Sequence, residues 1–254
     1  MNLEILLSCM NQHDLGIVGK SGISSDVLII NQSHKDDYIQ EKRNFLIRMI
    51  STTEKGLSRS RNMAIRRANN EICLICDDDE KFVPGYENEI LKAFQILPDA
   101  DVLIFQIDYK KKKRVPVVKR VNYLSALQIS SVQIAFRRRK IIDNNIFFDE
   151  TVGSGVSKAG GEEVLFLYEC MKKKLRIFYY PSLIAQVGTQ DSKWFKGYSK
   201  IYFYDRGVVT RKMMGRVLAL VYGAYFLLFK YRSYRKDISV GNALTELIKG
   251  IFHI

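Results

Sequence analysis

Ile72-Cys73-Leu74-Ile75-Cys76-Asp77-Asp78-Asp79 is the stretch whose reading decides the fold. Five apolar or readily buried residues fit a short core strand, and three carboxylates then arrive together. An apolar run ending in clustered Asp, with Pro84-Gly85 soon after, is what an open α/β sheet presents at the carboxyl edge of a strand, where such sheets bind ligands. In an extended segment Asp77 and Asp79 share a face and Asp78 points away. Hard oxygen ligands of that kind suit Mg²⁺ or Mn²⁺ bridging to a diphosphate. Taken alone, the same residues also read as an acidic turn that simply ends a strand.

Working outward, the 254 residues suffice for one large α/β domain with an appendage or for two small domains, and 47% hydrophobic content supplies a real core. The formal net charge of +13 implies attraction to an anionic partner, whether nucleic acid, a membrane surface or a phosphorylated substrate. Cys9, Cys73, Cys76 and Cys170 are scattered, which argues against a disulfide framework and suits a reducing compartment. The CxxC spacing of Cys73 and Cys76 falls inside an apolar strand with no second ligand pair, so both read as buried thiols. The amino end lacks the basic and apolar pattern of a secretory signal.

Strands are expected at Leu3–Leu7, Asp26–Ile30 and Leu46–Ile50, before a helix introduced by Gly56 and Ser58 that runs to about Asn69. Leu57, Ala64, Ile65 and Ala68 form the helix's apolar stripe, and Arg61 falls on it too. A cation on a buried stripe needs an anionic partner. The acidic strand end follows directly, so a site role is favoured over an arginine that snorkels to solvent. After Asp79, Pro84 opens a helix with Glu87 and Glu89 early and Lys92 later, buried through Tyr86, Ile90, Phe94 and Leu97. Asp101–Ile107 and Ser131–Phe136 read as further strands, so the alternation predicts a largely parallel sheet. Lys110–Arg114 reads as a solvated basic loop, and Arg137–Lys140 as a second basic cluster.

Gly153-Ser154-Gly155-Val156-Ser157-Lys158-Ala159-Gly160-Gly161-Glu162-Glu163 is the second informative stretch. A glycine-rich loop delivers two carboxylates to the start of a helix whose expected core face is Val164, Tyr168 and Met171. Acids in a first turn are ordinary helix electrostatics. The functional alternative is that one Glu is a general base on a loop able to close over an acceptor.

Three blocks together resemble the family-two glycosyltransferases of the GT-A fold, over roughly Leu3 to Tyr204. Gly56-Leu57-Ser58-Arg59-Ser60-Arg61-Asn62-Met63-Ala64 resembles the family's G-x-s-x-x-RN-x-a helix start. Cys76 through Gly85 resembles its strand-DxD-aromatic-Pro-Gly block. Gly161-Glu162-Glu163-Val164-Leu165-Phe166 resembles its G-E-D-x-x-F block, with Glu163 where the family usually has an Asp base. Their order and spacing are harder to reach by chance than any one of them.

The resemblance implies an α/β, Rossmann-like, mostly parallel sheet with flanking helices over residues 1–205. It also implies inverting transfer of a sugar from a nucleotide-diphosphate donor, UDP-linked, to an acceptor hydroxyl. On that reading Asp79 and Asp77 hold Mn²⁺ or Mg²⁺, and Asp77, Asp78, Arg59, Arg61, Asn62 and Gln32 meet the donor. Glu163, rather than Glu162, is the base. Two departures are visible. Asn31, Gln32 and Ser33 stand where members often carry a nucleobase-reading Asp, and amides can pair with a uracil edge. Tyr180-Pro181-Ser182 leads to Gln186-Val187-Gly188, so the His that many members add as a metal ligand has no counterpart nearby.

From Arg206 onward nine Lys or Arg face only Asp237 and Glu246. Val217–Phe229 is uncharged over thirteen residues, short of the ~20 that span a bilayer. As a helix it groups Tyr222, Tyr225, Phe226 and Phe229, and Lys230, Arg232, Arg235 and Lys236 follow. Residues 206–254 are therefore expected to form an amphipathic helical tail, peripheral on the cytoplasmic face of a membrane, serving a lipid-linked saccharide acceptor. A buried core helix is the alternative. Two rivals to the transferase are a basic nucleic-acid-binding protein and a metal-dependent nucleotidyltransferase. The first leaves Asp77–Asp79 unexplained, because acids repel phosphate, and no nucleic-acid partner is expected. The glycine-loop Glu pair speaks against the second.

Overall fold

The computed structural model describes residues 1–108, 116–187 and 197–253; the basic run Lys110–Arg114 and Gly188 lie outside the described residues. Two compact units emerge. The first comprises Met1–Phe148 and Phe166–Thr189, and the second Asp149–Leu165 and Gln190–Ile254.

The first unit is built on one mixed sheet. Its strands are β1 (Leu3–Met10), β2 (Asp26–Gln32), β3 (Asp37–Lys42), β4 (Leu46–Thr52), β5 (Ile72–Asp77), β6 (Glu80–Phe82), β7 (Val102–Asp108), β8 (Lys119–Arg120), β9 (Ile134–Arg137) and β10 (Ile177–Val187). Their order is β3-β4-β2-β1-β5-β9-β7-β10-β6, with β8 paired to β10. Parallel pairing joins β4 to β2, β2 to β1, β1 to β5 and β7 to β10. β9 is antiparallel to both of its neighbours, so β5 and β7 still point the same way. The strands expected from Leu3, Asp26, Leu46, Ile72 and Asp101 are all present within a residue or two at their starts.

The helices of this unit are α1 (Gly16–Lys20), α2 (Leu57–Arg67), α3 (Tyr86–Ile96), α4 (Tyr123–Ala126) and α5 (Arg138–Asp143). Alternate residues of the central strands, among them Ile5, Leu7, Ile29, Leu74 and Phe105, form one core with Ile17 and Val18 of α1 and Tyr86, Ile90 and Phe94 of α3. Leu6, Leu28, Ile30, Cys73 and Ile75, of the opposite parity, are equally buried. With both faces covered, the central strands have to be continuously apolar, which is why the sequence shows runs rather than alternation. All four cysteines are buried and free. Burial pushes the Cys9 thiol up to about 12, and keeps it protonated.

Several local expectations are corrected. Helix α2 stops at Arg67, and Ala68 is already extended (φ −61°, ψ 150°). Ser131–Gln133 is a 3₁₀ turn that precedes β9, because Ser130 and Gln133 form a reciprocal capping box there. The edge hairpin strand β3 has no apolar run; it is exposed, and only its ladder to β4 defines it.

Helix α6 (Glu162–Lys172) begins in the second unit's loop segment, and its later turns belong to the first. Val164, Phe166, Leu167, Tyr168 and Cys170 are its buried apolar residues. Met171, expected on the core face, is only half-buried. Among the described residues, the other helices of the second unit are α7 (Lys200–Phe229), α8 (Tyr231–Tyr234) and α9 (Val240–Phe252). Its own core gathers Tyr202, Phe203, Phe226, Tyr234, Leu247 and Ile251. Gly207 and Gly250 allow α7 and α9 to touch backbone to backbone. A Cβ on Gly250 would run into the Tyr204 carbonyl oxygen, and one on Gly207 into that of Leu247.

Candidate active site

Because β4, β2, β1 and β5 run parallel, their carboxyl ends share one edge of the sheet. Strand order reverses at β1, which has β2 on one side and β5 on the other, and that switch opens a crevice. Ser8 of β1 stands opposite Asp77 of β5, and Cys9 opposite Asn31 of β2.

Asp77 ends β5, but Asp78 and Asp79 do not continue the extended chain; they form the turn into β6. The expectation that Asp77 and Asp79 share a face of one strand is therefore corrected. Asp78 and Asp79 are exposed on the turn, while Asp77 is drawn inward. The cause is Arg61. It sits one turn into α2, is 1% exposed, and donates from Nη2 to both Asp77 carboxylate oxygens (3.0 and 2.9 Å) and to Ser131 Oγ (2.8 Å). The Phe148 ring lies 5.4 Å from its guanidinium carbon. A charge removed from water needs this compensation. The arginine on the apolar stripe thus finds the anion that the sequence required.

Asn62, next on α2, is also buried. Its amide clasps the backbone of Phe148, donating to the carbonyl (2.9 Å) and accepting from the N–H (2.8 Å). Those bonds orient the segment that carries Phe148 against Arg61. Gln32 Oε1 accepts from the Gly56 N–H at 2.8 Å, tying the end of β2 to the start of α2. Asn31 bridges three strand ends: its Nδ2 donates to the Gln12 carbonyl and Ser51 Oγ, and its Oδ1 accepts from the Gln12 N–H. Arg59 is exposed on the same helix.

Glu80, directly after the turn, is buried. Burial pushes its carboxyl well above the usual range, and the charges of Asp77 and Asp79 push it further. Burial thus favours the neutral form of this acid beneath the acidic turn. Among the described residues, no three His, Cys, Asp or Glu side chains are gathered into a ready cation cage. The turn still fits a hard divalent ion, since Mg²⁺-type ions are held by one or two carboxylates with water and phosphate completing the shell. Asp78 and Asp79 are the exposed carboxylates there, and Asp77, two residues before Asp79, is half-buried against Arg61.

In the second unit, the loop before α6 bends through left-handed positions at Gly153 (φ 102°), Gly160 (φ 59°) and Gly161 (φ 108°). A Cβ on Gly153 would meet the Glu162 carboxyl carbon at 2.8 Å, so Glu162 lies on the loop backbone and is buried. Glu163 is the more accessible of the pair.

Sequence reasoning missed Ser131, Phe148 and Glu80. Ser131 lay hidden in what reads as a strand, and Phe148 in an unassigned loop. Both reach Arg61 only through tertiary contact. Glu80 did carry a signal, as a carboxylate followed by an alternating pattern into Phe82.

Comparison with known proteins supplies the rest. Among curated proteins no sequence matches closely enough to be counted. Solved structures match well in shape. S. aureus TarS 1–349 in complex with UDP-GlcNAc gives a TM-score of 0.66 at 14% identity, covering 99% of this chain and 82% of that one. The same fragment with UDP gives 0.61 at 14% identity, with 99% and 81% covered. A longer S. aureus TarS structure gives 0.63 at 14% identity, with all of this chain and 50% of that one covered. At such identity these matches establish the fold alone, and it is the GT-A arrangement. The family model described as Glycosyl transferase family 2 matches residues 4–165, well over half of the chain. That span takes in the β1–β5 crevice, the Arg61–Asp77 pair and the Glu162–Glu163 helix start, and the chain belongs to glycosyl transferase family 2.

Proposed function

We propose that this glycosyltransferase takes its sugar from a UDP-linked donor and passes it, with inversion, to the hydroxyl of a saccharide, one carried on a lipid. The observation that carries the reading is the acidic turn Asp77–Asp79 at the switch-point edge of a family-two sheet, with Asp77 held by a buried arginine. UDP is favoured because the similar S. aureus TarS structures hold UDP and UDP-GlcNAc. Of the two amides at the end of β2, Gln32 suits the uracil side of the donor, since Asn31 is fully engaged by Gln12 and Ser51.

A divalent cation held by Asp79, with Asp77, would neutralise the diphosphate as it leaves. Arg61 fixes Asp77 so that the acidic edge keeps one geometry, and Arg59, exposed on the same helix, meets phosphate. Asn62 acts through Phe148, which it fixes against Arg61. Glu163 accepts the acceptor's hydroxyl proton while that oxygen forms a bond to the anomeric carbon. The bond from that carbon to the β-phosphate oxygen breaks with its electron pair going to UDP. One displacement with one base inverts the centre. Glu162 holds the glycine loop that presents Glu163.

The test is release of nucleotide from a panel of nucleotide sugars, with and without Mn²⁺, by the full chain and by Asp79→Ala. UDP release from one or more UDP-sugars, lost in Asp79→Ala while the melting temperature holds, is the expected result. Near-normal turnover by Asp79→Ala would remove the acidic turn from the mechanism, and turnover only of donors linked to another nucleotide would overturn the UDP assignment.

A further inference from the structure

Helix α7 is long and apolar enough to be mistaken for a membrane span. Gly215 contradicts that, since its φ of 76° and ψ of 175° cannot continue an α-helix. Two arms, residues 200–214 and 216–229, meet there and fold back on each other. The Phe203 and Phe226 rings lie 6.1 Å apart, and Leu247 of α9 touches both Gly207 and Gly223, eight residues to either side of the bend. The second arm is about 21 Å long at 1.5 Å per residue. That falls short of the ~30 Å hydrocarbon layer.

This arm has no charged residue between Arg216 and Lys230. Its inner face, Ala219, Gly223, Phe226 and Leu227, is buried in the unit's core. The outer face is just as apolar: Val217 is 75% exposed, Val221 63%, Leu228 74% and Phe229 73%. The aromatic stripe expected on one face is therefore split, with Phe226 inside and Tyr225 and Phe229 outside. Helix α9 repeats the pattern, burying Ala243, Leu247 and Ile251 while a second stripe at four-residue spacing, including Leu244 and Ile248, stays exposed. Arg216 lies 6.0 Å from the ring of Phe252, linking the two stripes. Lys230, Arg232, Arg235 and Lys236, all exposed, follow the apolar arm directly.

We infer that the outer faces of residues 216–229 and of α9 lie in the interface of an anionic phospholipid bilayer, without crossing it. An apolar face with cations at its border is the pattern of an interfacial helix on acidic headgroups. The alternative occupant, a second copy of this chain, is disfavoured by charge. A two-fold contact sets the same patch against itself, which brings the cationic border of one copy towards that of the other.

Vesicle binding is read without any sugar donor, so it stands or falls separately from the donor reading. The full chain is sedimented with vesicles of phosphatidylcholine alone and of phosphatidylcholine with phosphatidylglycerol. Binding is expected on the anionic vesicles, weakened but not abolished by salt. Each of Lys230→Gln and Arg235→Gln should lower it by a factor of about five. Val221→Glu and Leu228→Glu, on exposed positions, should each lower it about tenfold or more with unchanged thermal melting. A second measurement uses Leu228→Cys carrying an environment-sensitive dye; the native thiols are buried, so labelling is selective. Its emission should shift to the blue only with anionic vesicles. Equal recovery of the protein in the supernatant with and without vesicles, with no emission shift, would overturn the inference. So would Val221→Glu converting an oligomer to a monomer while vesicle binding is unchanged, which would assign the face to a second copy.

Discussion

Replacing Arg61 by Met tests whether the buried arginine holds the acidic edge in place. Methionine fills much of the same volume but leaves Asp77 without its cation and Ser131 Oγ without its donor. Breaking a buried ion pair from one side costs about 3–5 kcal/mol. Asp77 retains 26% exposure and can recover some water, so the lower end, about 3 kcal/mol, is expected. Urea unfolding monitored by circular dichroism reads that loss. A double-mutant cycle with Asp77→Asn then isolates the pair. Because both Asp77 oxygens accept from one nitrogen of Arg61, the losses should not add, with a coupling energy of about 2 kcal/mol. Donor turnover should fall in both single variants, since the acidic turn loses its fixed geometry in each. If the cycle closes within about 0.5 kcal/mol of additivity, the pair is not a unit and the argument from Arg61 fails.

Three further outcomes are expected. Glu163→Gln should lower kcat by about a hundredfold or more with donor binding kept; a larger kcat loss in Glu162→Gln than in Glu163→Gln would move the base to its neighbour. Gly250→Ala would place a Cβ against backbone atoms of α7, so the second unit should lose about 1–3 kcal/mol; an unchanged melting temperature would show that the helices can part freely. Asp149 is partly buried, which opposes its charge, but hydrogen bonds from Lys212 and Thr151 outweigh this and hold its pKa below the usual value. A depressed carboxyl stabilises above its unfolded pKa, about 3.9, and loses that stabilisation as pH falls through the lower folded value. The stability gap between wild type and Asp149→Asn should therefore be full at pH 6 and shrink below about pH 4; a gap independent of pH would contradict the assignment.

The sequence by itself determined the sheet. Near-continuous apolar runs after Leu3, Asp26 and Ile72 read as strands covered on both faces, and their endings in polar residues mark the ligand edge, while the run at Leu46 carries Arg48 and alternates in burial. It also determined that Arg61 needed an anion, because a cation on an apolar stripe cannot be left uncompensated. Which carboxylate answered was decided by the tertiary structure. The turn at Asp78–Asp79 swings Asp77 towards α2, while a capping box at Ser130–Gln133 delivers Ser131 from a segment seventy positions away in sequence. Local pattern carries no trace of such a pairing, since only chain closure brings those residues together. The tail shows the same division. Its apolar run and its cations are legible in order, and a length too short to span follows from counting. That the run shares its inner face with α9 and leaves its outer face bare depends on the fold-back at Gly215 and the Gly207–Gly250 contact. A helical stripe has no intrinsic inside, and only the neighbour packed against it decides which half meets solvent.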